Sequence, residues 1–160
     1  MSKTLLVTGG TGSFGNAVVK KFLNSKTYSE VRIFSRDESK QDKMAQEYNN
    51  SKLSFYLGDI RDEERIKHVS KGVDVIFHAA ALKIVPSCEN ATWETIKTNI
   101  IGSKNVIEAA ISNKIKNLTL LSTDKSVYPI NTMGMTKALV EKMALSVDFP
   151  DKTNINCVRY

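Results

Sequence analysis

The chain has only two cysteines in 160 residues, Cys88 and Cys157, far apart and outside any metal-ligand spacing. That excludes a disulfide scaffold and a structural zinc cluster, and it fits free thiols in a reducing cytoplasm. No apolar run approaches membrane-spanning length, and the N-terminus lacks the apolar stretch of a signal peptide. Internal repeats, low-complexity tracts and clear linkers are absent too. Basic residues outnumber acidic ones, 23 to 17, for a net charge of +6. They are scattered, without a run or aromatic interleaving, so nucleic acid is not the expected partner. What remains is one cytoplasmic domain, with 41% hydrophobic residues and enough length to bury a core.

The informative stretch comes early. Leu5-Leu6-Val7 reads as a short buried strand and leads into Thr8-Gly9-Gly10-Thr11-Gly12-Ser13-Phe14-Gly15. A helical pattern follows, with Phe14, Val18, Val19, Phe22 and Leu23 at amphipathic spacing. Strand, glycine turn and helix N-terminus gather unpaired amides and the positive end of the helix dipole at one point, which suits a pyrophosphate. Gly9 would permit the tight turn, Gly12 the approach of the anion, and Gly15 the helix–strand contact. The spacing is G-x-x-G-x-x-G, and its context makes it a dinucleotide site built from Gly9, Thr11, Gly12, Ser13, Phe14 and Gly15.

Val31-Arg32-Ile33-Phe34 reads as a second strand, ending in Ser35-Arg36-Asp37-Glu38, with a charged helix to about Tyr48. NAD-binding folds carry an acidic residue near this strand end for the ribose 2′-hydroxyl. Here Ser35 and Arg36, with Lys40 a turn later, suit a 2′-phosphate. NADP is therefore the expected cofactor, while Asp37 keeps NAD open. Leu53–Leu57 is a third strand, closed by Gly58-Asp59-Ile60. Asp59 would either accept from an adenine amino group or cap the next helix, Asp62–Ser70, for which Asp62 is also a cap. Val73–His78 is a fourth strand running into Ala79-Ala80-Ala81, small residues against which a cofactor can lie. His78 reads as a packed strand-end histidine, and Lys83 as a lysine in reach of a phosphate or of solvent. A long helical pattern from Ala91 to Asn113 places Ile96, Ile100, Ile107 and Ile111 on one side. Asn99 faces inward on it, as a structural bridge or as part of a site. Leu118–Leu121 is a fifth strand, Thr132–Val147 a helix, and Ile155–Val158 begins a sixth strand. Alternating strands and helices predict a Rossmann-like α/β fold, a doubly wound parallel sheet of about six strands with helices on both faces. The flagged residues all fall near carboxyl ends of strands, where such sheets bind ligands.

The fifth strand ends in Ser122-Thr123-Asp124-Lys125, and Asn131-Thr132-Met133-Gly134-Met135-Thr136-Lys137 follows. With Thr8–Gly15, Phe34–Glu38, Gly58–Asp62, His78–Lys83 and Thr98–Gly102, these stretches resemble the extended short-chain dehydrogenases/reductases over nearly the whole chain. Within that superfamily the chain is similar to the polysaccharide-biosynthesis branch, the inverting UDP-N-acetylglucosamine 4,6-dehydratases and their epimerase relatives. The resemblance implies a UDP-sugar substrate, a homo-oligomer and catalysis in three stages. Hydride leaves C4 for NADP, the ketone acidifies C5, and after loss of water hydride returns to C6. Asp124 would be the acid at C6, Lys125 the base at C5, and Thr123 a partner of O4. Such a lysine must be partly neutral, which burial and a nearby cation achieve. Lys137 matches the lysine of the superfamily's Tyr-x-x-x-Lys pair, which holds the nicotinamide ribose, but Met133 stands where the tyrosine is usual.

Met133 cannot move a proton, and Tyr128 is not a substitute by spacing. Either another group such as Lys125 or a water acts at O4, or a group from another loop does, or the chain is catalytically silent. The first is preferred, because Asp124, Lys125 and Lys137 are kept. Tyr160 ends the chain beside the cofactor strands, where the family continues into a region that grips the nucleotide sugar. The expectation is therefore a cofactor domain, 1–160, with that region absent. The alternatives to a dehydratase are a UDP-N-acetylglucosamine 4-epimerase and a non-catalytic NADP-binding domain.

Overall fold

The computed structural model describes residues 2–146 and 153–160. Six strands form one sheet: β1 Lys3–Thr8, β2 Tyr28–Ser35, β3 Leu53–Leu57, β4 Val75–His78, β5 Asn117–Leu121 and β6 Asn154–Val158. Every pairing is parallel and the order is β3-β2-β1-β4-β5-β6. The order reverses between β1 and β4, which start the two halves of the sheet, and a ligand crevice opens at such a point. Thr8 pairs with Phe34 on one side and His78 on the other, so the ends of β1, β2 and β4 come level.

Alternation along β1 divides the core. Leu6 faces α3 (Glu63–Val69), α6 (Gly102–Ser112) and α7 (Thr132–Ser146), among Ile66, Ile76, Val106, Leu118 and Val140. Leu5 and Val7 face α1 (Ser13–Leu23) and α2 (Glu38–Tyr48), among Val18, Val19, Val31, Ile33 and Met44. Helices thus cover both faces, and the interior strands are apolar on both sides, as a parallel sheet requires. Asp62 caps α3 by accepting from the Arg65 amide, as its position in the sequence predicts.

The long helical pattern from Ala91 to Asn113 resolves differently. A short helix α4 (Val85–Asn90) precedes it, and the pattern divides into α5 (Thr92–Thr95), a π-helical stretch Ile96–Ile101, and α6. The wider π turns rotate the later residues relative to the earlier ones. Ile107 is buried, but Ile96 and Ile100 are only half-buried and Ile101 is exposed. Thr95, Thr98, Asn99 and Ser103 take the inner face instead. The predicted helix to Val147 is observed to Ser146, and Val147 lies outside the described residues. Among the described residues no helix is long and apolar enough to cross a membrane, and no group of three or more His, Cys, Asp or Glu is arranged to hold a metal ion.

Candidate functional site

The turn after β1 is built around Gly9, whose φ of +68° is left-handed and strained for any side chain. Its amide donates to Phe34 O at 2.8 Å, locking the turn to the end of β2. Gly15 sits against that turn: a Cβ there would lie 2.3 Å from Gly9 O and 2.7 Å from Gly10 Cα. The contact is thus helix on turn, where helix on strand was expected. Gly12 caps α1 without a side-chain bond, at φ −76° and ψ 166°. A Cβ on Gly12 would meet only Gly9 O, at 3.2 Å. The fold needs glycine at positions 9 and 15, whereas at 12 the protein itself opposes a side chain with that one contact alone.

That turn opens on a cleft of about 660 Å³ along the carboxyl ends of β1, β2, β3 and β4. Among its walls are Gly9, Thr11, Gly12, Ser13, Phe14, Gly15, Ser35, Arg36, Lys40, Asp59, Ile60, Ala79, Ala80, Ala81, Lys83 and Tyr160, brought together from separate stretches of the chain. Phe34, Gly58 and Thr98 line it too, and so does Asp37, the strand-end carboxylate that keeps NAD open. Phe14 stacks on Phe77 at 5.7 Å, and Tyr160 lies 5.3 Å from Phe14, which closes one end of the cleft with aromatic rings. The donor set, glycine amides at a helix N-terminus with cations further along the cleft, fits a dinucleotide.

At the β2 end the two cations expected at a 2′-phosphate are both paired with carboxylates. Arg36 pairs with Asp59 at 3.4 Å and Lys40 with Asp37 at 3.0 Å. Asp37 also caps α2 through the Lys40 amide, which holds its carboxyl below the usual range. Ser35 Oγ accepts from Gln41 Nε2 at 3.0 Å. Burial pushes the Asp59 carboxyl up, but two guanidinium bonds from Arg61, with Arg36 behind them, leave it below the ordinary value. Asp59 does not cap α3; that place is Asp62's.

A second, smaller cleft of about 190 Å³ shares Ala79, Ala81, Lys83, Leu121 and Tyr160 with the first. Its other walls include Thr123, Asp124, Lys125, Met133 and Lys137. Asp124 Oδ1 accepts from Lys125 Nζ at 3.1 Å and from Thr123 Oγ1 at 3.0 Å. Both bonds, that from Lys125 first, hold the Asp124 carboxyl below its usual value. The environment expected for Lys125 is not found. It is exposed and its partner is an anion, because the residue lies on a one-turn 3₁₀ segment beyond the strand end (Asp124–Ser126). Lys137 has the burial instead. Its Nζ donates to Leu121 O at 2.8 Å, and desolvation brings it from 10.5 to about 8 against the raising influence of Cys157 and Glu141. Met133 is buried one turn before it, while Tyr128 is 88% exposed.

Asn99 is the expected cofactor residue that stands apart. Its amide accepts from Leu82 N at 2.8 Å and donates to Leu82 O at 3.0 Å and Thr136 Oγ1 at 3.0 Å. It is a structural bridge that holds the Ala79–Lys83 segment against α7 and does not line either cleft. Lys137 likewise lines only the smaller cleft.

His78 is buried and bonded to Thr8 Oγ1 at 2.6 Å and Ser103 Oγ at 2.9 Å. Desolvation, and then the charge of Lys137, lower it from 6.5 to about 3. Below pH 6.5 the unfolded chain takes up a proton that the folded chain refuses. Stability should therefore fall as pH drops from 6.5 towards 3, by up to about 1.4 kcal/mol per pH unit. Urea midpoints at pH 7, 6, 5 and 4 measure the slope, and His78→Gln, which keeps a hydrogen-bonding side chain, should flatten it.

Fold and clefts together define a Rossmann-like α/β domain with a glycine turn at its switch point. The chain belongs to the polysaccharide biosynthesis protein family, whose pattern matches residues 5–160. A protein of Rickettsia prowazekii named UDP-glucose 4-epimerase is 52% identical over 100% of this chain and 49% of its own length. One of Rickettsia bellii with the same name is 53% identical over the same shares. The chain thus spans about half the length of the curated relatives it matches. Among solved structures, Pen from Bacillus thuringiensis superposes with a TM-score of 0.96 at 33% identity, over 99% of this chain and 50% of that one. A dTDP-glucose 4,6-dehydratase from Streptomyces venezuelae, solved with NAD bound, has the same fold, with a TM-score of 0.88 at 22% identity over 98% and 55%.

Proposed function

We infer that this chain is the nucleotide-binding part of a UDP-N-acetylglucosamine 4,6-dehydratase, 5-inverting and NADP-dependent, acting in polysaccharide biosynthesis. The observation that carries the reading is the smaller cleft: a carboxyl and an amine stand side by side, Asp124 and Lys125, with Met133 in place of a tyrosine. Moving one proton at O4 needs a single group, whereas dehydration needs an acid at C6 and a base at C5. The long cleft would hold NADP, with the pyrophosphate on Gly12–Gly15 and the 2′-phosphate at Ser35, Arg36 and Lys40. Bound there, NADP would supply reversible hydride acceptance. The chain's own residues do the rest: Thr123 holds O4, whose proton leaves to a water in the cleft as hydride departs, Lys137 holds the nicotinamide ribose, Lys125 takes the C5 proton, and Asp124 protonates the departing hydroxyl. For this to happen the Lys125–Asp124 ion pair must pass one proton from the amine to the carboxyl and then separate, and substrate entering between them and excluding water would supply both.

A second reading is a UDP-sugar 4-epimerase, favoured by the names of the Rickettsia relatives. Incubating the full-length protein with UDP-N-acetylglucosamine and NADP in deuterated water separates the two. Loss of one water mass with deuterium at C5 is the expected result. An unchanged mass with inverted C4 would establish the epimerase, and tight NADPH binding without either product would mean a silent domain.

Arg36→Asp should weaken NADPH binding by about 10- to 100-fold, the scale of one charge-assisted bond, and NADH binding by much less. Calorimetric titration with both nucleotides checks it; equal losses would remove the preference for NADP.

A further inference from the structure

Glu141 lies one turn beyond Lys137 on α7 and is buried, yet no step above uses it. Its Oε1 accepts from the hydroxyls of Ser122 and Ser126, the latter at 2.7 Å. Arg159 donates Nε to its two oxygens at 3.0 and 3.2 Å, and the guanidinium's terminal nitrogen binds Oε2. Arg159 first, then the two hydroxyls, overcome burial and hold this carboxyl at about 2. Ser122 and Ser126 flank Thr123, Asp124 and Lys125, and Arg159 is the neighbour of Tyr160. One carboxylate therefore joins the three pieces that wall the smaller cleft: the loop after β5, the end of β6, and the helix bearing Met133 and Lys137.

We propose that Glu141 is the positioning residue of that wall, fixing the Ser122–Ser126 loop against α7 and serving as the internal counter-charge of Lys137. The geometry favours this over a mere helix-to-strand tie. A tie to Arg159 alone would not bring Ser122 and Ser126 onto the same carboxylate oxygen, and an apolar contact would do the same work without a buried charge. The groups around Lys137 are few. Cys157 of β6 and Glu141 raise its proton affinity, and its charge in turn opposes protonation of buried His78 of β4. Lys83, Asp124 and Lys125 share the walls of the smaller cleft. Glu141 is the one anion among them that is fixed and buried. That the cleft is where sugar chemistry occurs rests on the reading above; the assembly and the counter-charge do not.

The test is Lys137 titration, followed by NMR in the full-length protein labelled with ¹³C,¹⁵N-lysine, the resonance being assigned by its loss in Lys137→Arg. Glu141→Gln keeps the shape and removes the charge, so the Lys137 midpoint should fall by about 0.5–1 pH unit. Arg159→Met removes the competing cation and should move it upward. Amide exchange over Ser122–Ser126 should quicken by about 10-fold or more in Glu141→Gln. With UDP-N-acetylglucosamine as substrate, kcat should fall while NADPH affinity stays. An unmoved midpoint, or the same direction in both variants, would overturn the counter-charge, and unchanged exchange would overturn the positioning. If Glu141→Gln does not fold, Ser122→Ala/Ser126→Ala carries the exchange test and Arg159→Met the titration. A full-length protein inactive on UDP-N-acetylglucosamine would remove the dehydratase reading and leave these two measurements standing.

Discussion

Gly12→Ala should leave the fold nearly intact, within about 1 kcal/mol for an N-cap change, and should weaken NADPH binding by about 100-fold or more. The backbone at Gly12, φ −76° and ψ 166°, is open to any residue. A Cβ there meets one protein atom, Gly9 O at 3.2 Å, a contact relieved by a shift of a few tenths of an ångström. The same methyl would project where, in the proposed site, a pyrophosphate meets the amides of the first turn of α1. Gly15→Ala should do the reverse in kind. Its Cβ would sit 2.3 Å from one backbone oxygen and 2.7 Å from a backbone carbon, and neither can yield without moving the turn. A stability loss of about 3 kcal/mol is expected, at the upper end for overpacking. Thermal melts with and without NADPH separate the two. Gly12→Ala should melt like the parent and gain little from the nucleotide, whereas Gly15→Ala should melt lower in both conditions. A Gly12→Ala protein that binds NADPH normally would move the pyrophosphate off this turn.

The contrast shows what the sequence could and could not tell. Each strand was legible because the apolar runs of β1, β2, β4 and β5 are short and bounded by polar turns, and each ends in the residues that line the cleft. In a doubly wound sheet the carboxyl ends converge by topology, so residues as distant as Gly9, Arg36, Asp59 and Ala80 needed no side-chain detail to be grouped. Pairing was not legible. Arg36 on Asp59 and Lys125 on Asp124 depend on rotamers and on how far each residue stands from the core. A strand-end lysine looks alike in sequence whether it is buried or exposed. The π stretch left no trace either, because one extra residue per turn alters which side chains face inward without altering composition. Asn99 faced inward as expected, but its partner, the backbone of Leu82, is a contact between segments. Nothing in the sequence singles out Glu141, although it stands four residues after Lys137 on one helix face. Its serine and arginine partners come from two other strand ends.

Lys137→Met should make the protein more stable at pH 7 while abolishing turnover. Lys137 is charged at neutral pH yet buried, and desolvation has lowered it from 10.5 to about 8. Below pH 8 the folded and unfolded chains both hold the proton, and the folded chain bears the full cost of burying it, about 3 kcal/mol for a shift of this size. Between pH 8 and 10.5 the unfolded chain still holds a proton the folded chain has released, so the parent's stability rises through that window. Methionine has similar bulk and no charge; it forfeits the bond to Leu121 O at 2.8 Å, worth about 1 kcal/mol. A net gain of about 2 kcal/mol at pH 7 follows, and the rise above pH 8 should vanish in the variant. Turnover by the full-length protein should fall by about 10³-fold or more, since the group proposed to hold the nicotinamide ribose would be gone along with its charge. Urea unfolding of parent and variant at pH 7 and pH 10 reads both arms. A less stable variant at pH 7, or one that keeps the alkaline rise, would mean that Lys137 is not a buried cation held at a cost. A buried charge retained against the interest of stability is what a site does, and a scaffold does not.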